Sequence, residues 1–178
     1  MTHDNLLIHY NLIIYGSKYG HTRACAEEYS KRTGIPCEDY ISISNIDNLS
    51  TVIYFGSLYA GGVMGLRKTL DRMNIDDKRI IVITVGLSDP DDEHNISNIE
   101  NSMKEQLTEA VFSKLEIYHL RGGIDYARLS FIHHAMMKFL NSEAGKTRNP
   151  DDETREMINT YGKKVSLINF YSLNKIEL

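Results

Sequence analysis

Three hydroxyl-bearing residues and a glycine, Ser17, Tyr19, Gly20 and Thr22, stand within six positions directly after the apolar run Leu12, Ile13, Ile14, Tyr15. Such a run reads as a strand buried on both faces, the habit of parallel sheets. From Thr22 the pattern turns helical, with apolar Ala24, Cys25, Ala26 and Tyr29. A strand, loop and helix joined in this way aim unpaired backbone N–H groups and the positive end of a helix dipole at one point. A phosphate is the natural occupant, and the Ser17 and Thr22 hydroxyls add donors. The chain has no GxxxxGK[ST] motif for a nucleoside triphosphate and no GxGxxG turn for a pyrophosphate. A capped helix after a buried strand, with no ligand, would carry the same pattern.

Two more loops belong with the first. Gly16, Gly56 and Gly86 each follow an apolar strand directly, and loops 16–22, 56–62 and 86–94 begin at them. The second holds Ser57, Leu58, Tyr59, Ala60, Gly61 and Gly62, where Tyr59 is an aromatic among small residues that let a backbone approach a flat ligand. Tyr59 reads equally well as a half-exposed loop tyrosine. The third starts Gly86, Leu87, Ser88, Asp89, and residues 87–101 contain Asp89, Asp91, Asp92, Glu93 and Glu100 with no Lys or Arg. These acids suit either a solvated loop or a charge that disfavours electron uptake beside a redox group. His133 and His134 are neighbours, so they diverge on a helix and cannot share a metal ion; no metal site is expected. His21 and His94 lie on converging loops without a spacing that assigns them acid or base work.

The elements that must position these loops alternate strand and helix. Strands are expected at 12–15, 37–43, 51–55, 79–85 and 115–120, and helices at 22–33, 63–73, 95–113 and 152–164. Gly34 and Pro36 close the first helix, and the acidic run 151–153 starts the last. Residues 44–50 are turn-rich, and the tail 165–178 is unassigned. This alternation specifies an α/β sandwich with a parallel sheet, and with the phosphate loop after strand one its five strands are expected in the order 2-1-3-4-5. In that order the switch point falls between strands one and three, where ligands bind outside the carboxyl ends.

Length and composition suit one domain over 11–178 with a short N-terminal extension, 1–10. Hydrophobic residues make 42% and charged residues 25% of the chain, and the net charge of −4 does not suggest nucleic-acid binding. Cys25 and Cys37 form no CxxC and read as buried thiols of a reducing compartment. With no membrane-length apolar run and no signal-peptide architecture, a cytoplasmic location is expected. One stretch departs from an economical fold. The connection 122–150 is about five times the usual 2–6 residues. Between positions 121 and 148 it carries Arg121, Arg128, Lys138, Lys146 and Arg148 against only Asp125 and Glu143. With its Met-rich apolar stripe, it suits a redox partner protein, a quinone or large planar substrate, or peripheral contact with the inner face of a membrane. A stripe that merely closes the core would look alike. Oligomeric state is not legible.

These residues together resemble the flavodoxin-domain family, whose phosphate loop runs hydroxyl-x-hydroxyl-Gly-x-Thr; Ser17, Gly20 and Thr22 match it and Tyr19 departs from it with a bulky phenol. More narrowly, Gly20, Thr22, the Gly56-Ser57-Leu58 turn and the basic insertion resemble the flavodoxin-type, menaquinone-dependent protoporphyrinogen oxidases. The resemblance covers residues 11–165. It implies a flavodoxin-like three-layer sandwich and an FMN-binding redox protein, with Ser17, Lys18, Tyr19, Gly20, His21 and Thr22 at the phosphate, and with Ser57 to Gly61 and Gly86 to Asp89 beside the ring. A scaffold or signalling domain of the same topology without a cofactor is the alternative.

Overall fold

The computed structural model describes residues 10–44, 46, 48–59, 61–125 and 162–178. Residues 1–9, Ala60, the insertion from 126 on with His133 and His134, and the acidic run and helix expected from 151 as far as 161 lie outside the described residues.

The main sheet is built from β1 (Tyr10–Gly16), β2 (Cys37–Asp39), β3 (Leu49–Tyr59), β5 (Arg79–Gly86) and β6 (Leu115–Arg121). These five strands are all parallel, in the order β2-β1-β3-β5-β6, and the two-residue β4 (Gly62–Val63) pairs antiparallel with the end of β3. This is the expected 2-1-3-4-5 order, since β5 and β6 are the fourth and fifth strands of the sequence reading. Alternate residues of the central strands feed two cores. Ile14, Val52, Tyr54, Ile80 and Val82 pack with Leu66 and Leu70 of α2 (Leu66–Leu70) and Met103 of α3 (Glu93–Gln106). Ile13, Ile53, Phe55, Ile81 and Ile83 pack with Cys25, Ala26 and Tyr29 of α1 (His21–Thr33). Period-two strands covered on both faces leave no polar side, which is why these runs are almost purely apolar.

Several boundaries differ from the sequence reading, each for a tertiary reason. The strand expected to begin at 12 reaches back to Tyr10, taking in the last residue of the supposed extension. The edge strand expected over 37–43 stops at Asp39, whose carboxylate and carbonyl accept the backbone N–H groups of Ile41 and Ser42 and turn the chain. In place of a helix over 63–73 there are β4, a left-handed Gly65 and one short helix, α2. The helix expected over 95–113 starts at Glu93 and is interrupted after Gln106. There Leu107 is extended, and Thr108 caps a separate α4 (Glu109–Phe112) by accepting from Val111 N–H. The last expected helix does not run to Lys164, because β8 (Lys164–Ser166) pairs antiparallel with β7 (Gly123–Asp125) at the start of the insertion.

The unassigned tail becomes a strap. A 3₁₀ turn (Phe170–Lys175) buries Leu173, and Ile176 follows it into the α1-side core. Arg32 donates to the Phe170 carbonyl and to Asn174, and the Tyr29 hydroxyl reaches the Ile176 carbonyl. Among the described residues no helix is long and apolar enough to cross a membrane.

Candidate functional site

The three glycine-led loops do meet at the carboxyl edge, but Gly56 does not end its strand, whereas Gly16 and Gly86 are the last residues of β1 and β5. Gly16 pairs in register with Gly56, and β3 continues three residues further to Tyr59 before turning back as β4. A Cβ on Gly16 would lie 2.2 Å from the Met64 carbonyl oxygen, and one on Gly56 would lie 2.1 Å from Val63 Cγ1. These glycines admit the β3–β4 hairpin to the sheet edge. Gly86 does the same for Leu58, whose Cδ1 lies 2.6 Å from where its Cβ would be. Ser57, Leu58 and Tyr59, expected in a loop, are therefore strand residues. The Tyr54 hydroxyl, buried at the hairpin's foot, donates to the Met64 carbonyl at 2.6 Å.

The loop after β1 has the geometry of an anion cradle. Gly20 takes a left-handed conformation (φ 94°) that turns the chain into α1. Ser17 Oγ accepts the backbone N–H groups of Gly20 and Arg23, both at 3.2 Å. A hydroxyl has two acceptor lone pairs and one proton. With both lone pairs engaged, the Ser17 hydroxyl keeps its proton for donation at the N-terminus of α1. Thr22, almost wholly buried, shares a 2.7 Å hydrogen bond with Ser57 Oγ, which also accepts Lys18 N–H at 3.3 Å. Ser57 is thus hydrogen-bonded to the β1 loop and α1.

Tyr19, where the family pattern has a short alcohol, packs against Tyr59. Its ring meets Tyr59 edge-on, with centroids 6.3 Å apart and planes at 72°, and Lys18 Nζ lies 5.2 Å from the Tyr59 centroid. Burial, with the neighbouring Tyr59 phenol, pushes the Tyr19 hydroxyl up to about 12, so it is a neutral donor. His21 begins α1, and its Nε2 lies 2.6 Å from where a Gly123 Cβ would be. The base of the insertion therefore rests on the β1 loop, a contact invisible in the sequence.

The third loop is held largely by its own carboxylates. Asp92 caps α3 by accepting from His94 and Asn95 N–H, and Asp89 accepts from Asp91 N–H. Asp91 pairs with Lys175 of the strap at 3.1 Å, both side chains exposed. Gly61, Asp89 and His94 are exposed, whereas Gly86, Leu87 and Ser88 are partly covered. The Gly86 carbonyl accepts Gly122 N–H at 2.6 Å, and Arg121 donates to the Leu87 carbonyl at 3.4 Å.

Sequence reasoning missed two further features. Gln106 holds β4 with its amide. Thr84, a lone hydroxyl in a buried strand, bonds His119 Nδ1 at 2.7 Å, and burial lowers the His119 pKa below the ordinary imidazole value. Thr84 carried a signal, as the only polar side chain in an apolar run; Gln106 carried none.

Five parallel strands in this order, layered by helices on both faces, define the flavodoxin-like class of α/β proteins. The family model described as Flavodoxin domain matches residues 12–151, and the chain belongs to that family. Similar solved structures include a flavoprotein in complex with FMN from Lactobacillus acidophilus NCFM, at 14% identity and TM-score 0.42, over 64% of this chain and 92% of that one. An azoreductase from Bacillus anthracis str. Sterne is similar at 9% identity and TM-score 0.44, over 86% and 94%. An FMN-dependent NADH-azoreductase from Bacillus anthracis str. Ames Ancestor is similar at 12% identity and TM-score 0.41, over 72% and 93%. Likeness this distant carries nothing about this chain's chemistry. Among curated proteins none matches the chain in sequence.

Proposed function

We propose that the chain binds FMN and works as a flavin-dependent redox protein. The observation that carries this is the β1 loop of a flavodoxin-domain chain. Ser17 Oγ, saturated as an acceptor by two backbone N–H groups, keeps its proton as a donor beside the N-terminus of α1. The donor set fits a single terminal phosphate: the Ser17 hydroxyl, the Thr22–Ser57 hydroxyl pair and the first-turn backbone of α1. Lys18 adds positive charge, and Tyr19 and Tyr59 give the adjoining wall an aromatic character suited to a flat ring. Bound flavin supplies hydride and single-electron transfer. The chain's own part is to hold the phosphate, orient the ring at the β3–β4 hairpin, and keep the Tyr19 proton in place. None of these residues needs to act as a nucleophile.

The narrower reading is oxidation of a large planar substrate with a quinone as acceptor, as the resemblance to menaquinone-dependent protoporphyrinogen oxidases implies. Its support is the basic insertion and the seat of that insertion's base, Gly123, against His21 of the β1 loop.

The purified protein, reconstituted with FMN, should show a bound-flavin visible spectrum; a colourless product would favour the cofactor-less scaffold. Thr22 is too buried to accept a carboxylate, so Thr22→Val, which keeps its shape and removes its hydroxyl, is the sharper variant. Hydrogen bonds to a charged group contribute about 1.5–3 kcal/mol. Thr22→Val should therefore lower FMN affinity by roughly 10- to 150-fold while leaving riboflavin affinity within a factor of about two. Equal losses for the two flavins would place the phosphate elsewhere.

A further inference from the structure

The β3–β4 hairpin, which carries Tyr59 to the site, is held on its inner side at Met64, whose N–H donates to the Ser57 carbonyl and whose carbonyl accepts from Tyr54, while its outer edge depends on another element. β4 is two residues long and makes only the register pairs Leu58↔Val63 and Tyr59↔Gly62. A two-stranded ribbon even of ordinary length is marginal in water. Beside it lies a depression of about 420 Å³ lined by Tyr59, Gly62, Met64, Ser102, Glu105 and Gln106.

One side chain takes the place of a third strand. Gln106 Oε1 accepts Val63 N–H at 2.9 Å, and Gln106 Nε2 donates to the Val63 carbonyl at 2.9 Å. A carboxamide carries one acceptor and one donor at the spacing a neighbouring strand presents, so both free backbone groups of this edge are met by one residue. Gly62 makes room for it, because a Cβ there would stand 3.2 Å from Oε1 and 3.3 Å from the amide carbon. Gln106 is the last residue of α3, whose first turn is capped by Asp92 from the third site loop. One rigid helix thus spans from that loop to the hairpin. The helix also breaks immediately after Gln106, where a continuous helix was expected.

We propose that Gln106 is a positioning residue for the flavin ring. It latches the β3–β4 hairpin to α3 and thereby sets the place of Tyr59, and through it Tyr19 and Lys18, against the site. It acts through Val63 and touches no cofactor atom. The proposal rests on the FMN reading above and adds what fixes its ring-side wall.

The latch makes a signed prediction. In Gln106→Leu both backbone groups of Val63 lose their partner and the closed hairpin is only fractionally populated. Apparent affinity falls by that fraction. FMN and riboflavin should both bind about tenfold more weakly if the closed hairpin falls to about a tenth of molecules. Bound-flavin fluorescence should rise as the tyrosine wall recedes. Thr22→Val, by contrast, discriminates between the two flavins.

Gln106→Glu keeps the shape but titrates. Ionised, the introduced carboxylate still accepts Val63 N–H and repels the Val63 carbonyl; protonated, it restores both bonds. Relative to the parent at each pH, the affinity of this variant should approach parental around pH 4, just below the ordinary glutamate value of about 4.3, and be about tenfold weaker at pH 8. This pH rescue happens within one folded molecule, so it stands even if Gln106→Leu does not fold. Parental affinity and fluorescence in Gln106→Glu at both pH values would overturn the inference while leaving FMN binding intact. A loss that does not depend on pH, tracking melting temperature alone, would overturn it in favour of a purely structural role. Absence of flavin binding by the parent protein would overturn both readings.

Discussion

The closeness of the hairpin to the sheet edge can be tested as a coupling energy between Gly56 and Val63. An alanine Cβ at position 56 would lie 2.1 Å from Val63 Cγ1 and 3.2 Å from Tyr54 Cε1, in a site where Val63 and Tyr54 have no exposed surface. Carbon atoms in contact sit about 3.5–4.0 Å apart, so something must move by well over an ångström. The Val63 backbone is held by Gln106, and Met64 is held by bonds from its own N–H to the Ser57 carbonyl and from Tyr54 to its carbonyl. Relief by a small shift is therefore blocked, and Gly56→Ala should cost toward the upper end of the usual overpacking range, about 3 kcal/mol. Val63→Ala alone removes two methyl groups from a closed core and should cost roughly 2 kcal/mol from lost transfer energy and the space left. If the two sites were independent the double variant would lose about 5 kcal/mol. If the clash is the cause, the smaller residue at 63 vacates the space the new Cβ needs. The double variant should then lose only about 2 kcal/mol, a coupling of roughly 3 kcal/mol. Urea unfolding of the four proteins at constant m-value measures this. Melting shifts of about 2–4 °C per kcal/mol, as expected for a domain of this size, provide a check. Additivity within about 0.5 kcal/mol would refute the steric account of Gly56.

Two other outcomes follow from the same geometry. Burial raises Cys25 and Cys37 to about 11, and Tyr19 to about 12. A group whose folded pKa is raised lends stability that is whole below its unfolded value, 9.0 for these thiols and 10.0 for the phenol, and is lost as pH climbs through the folded value. The urea midpoint should therefore fall steadily between about pH 9 and 12, whereas a midpoint that holds level to pH 11 would contradict the burial of these groups. Separately, replacing residues 126–146 by a short glycine-serine linker keeps β7 and its partner β8. The product should stay folded and retain FMN while losing electron exchange with a quinone or a porphyrinogen; insoluble expression would make the Leu129, Ile132, Met136, Phe139 stripe ordinary core.

The layering and strand order were legible in the sequence, because a strand buried on both faces must be apolar throughout and a parallel neighbour demands a crossover. Runs such as 12–15, 51–55 and 79–85 could be little else. The β1 loop was legible for a related reason: hydroxyl, glycine and threonine spacing at a strand end is local chemistry, complete within six residues. What the sequence could not carry was every decision made by contacts distant along the chain. Gly16 and Gly56 look like strand terminators, yet they are glycines because Met64 and Val63 come within 2.2 Å of where their Cβ atoms would be. No local pattern places Ser57 Oγ of β3 at 2.7 Å from the Thr22 hydroxyl of α1. The tail lacks α-helical periodicity because it is a strap, one 3₁₀ turn pinned to α1 by Arg32 and Tyr29. Gln106, a polar residue in a polar helix, becomes the surrogate third strand of a hairpin 43 residues away. Local pattern encodes which groups can bond; only the packed chain decides which of them are close enough to do so.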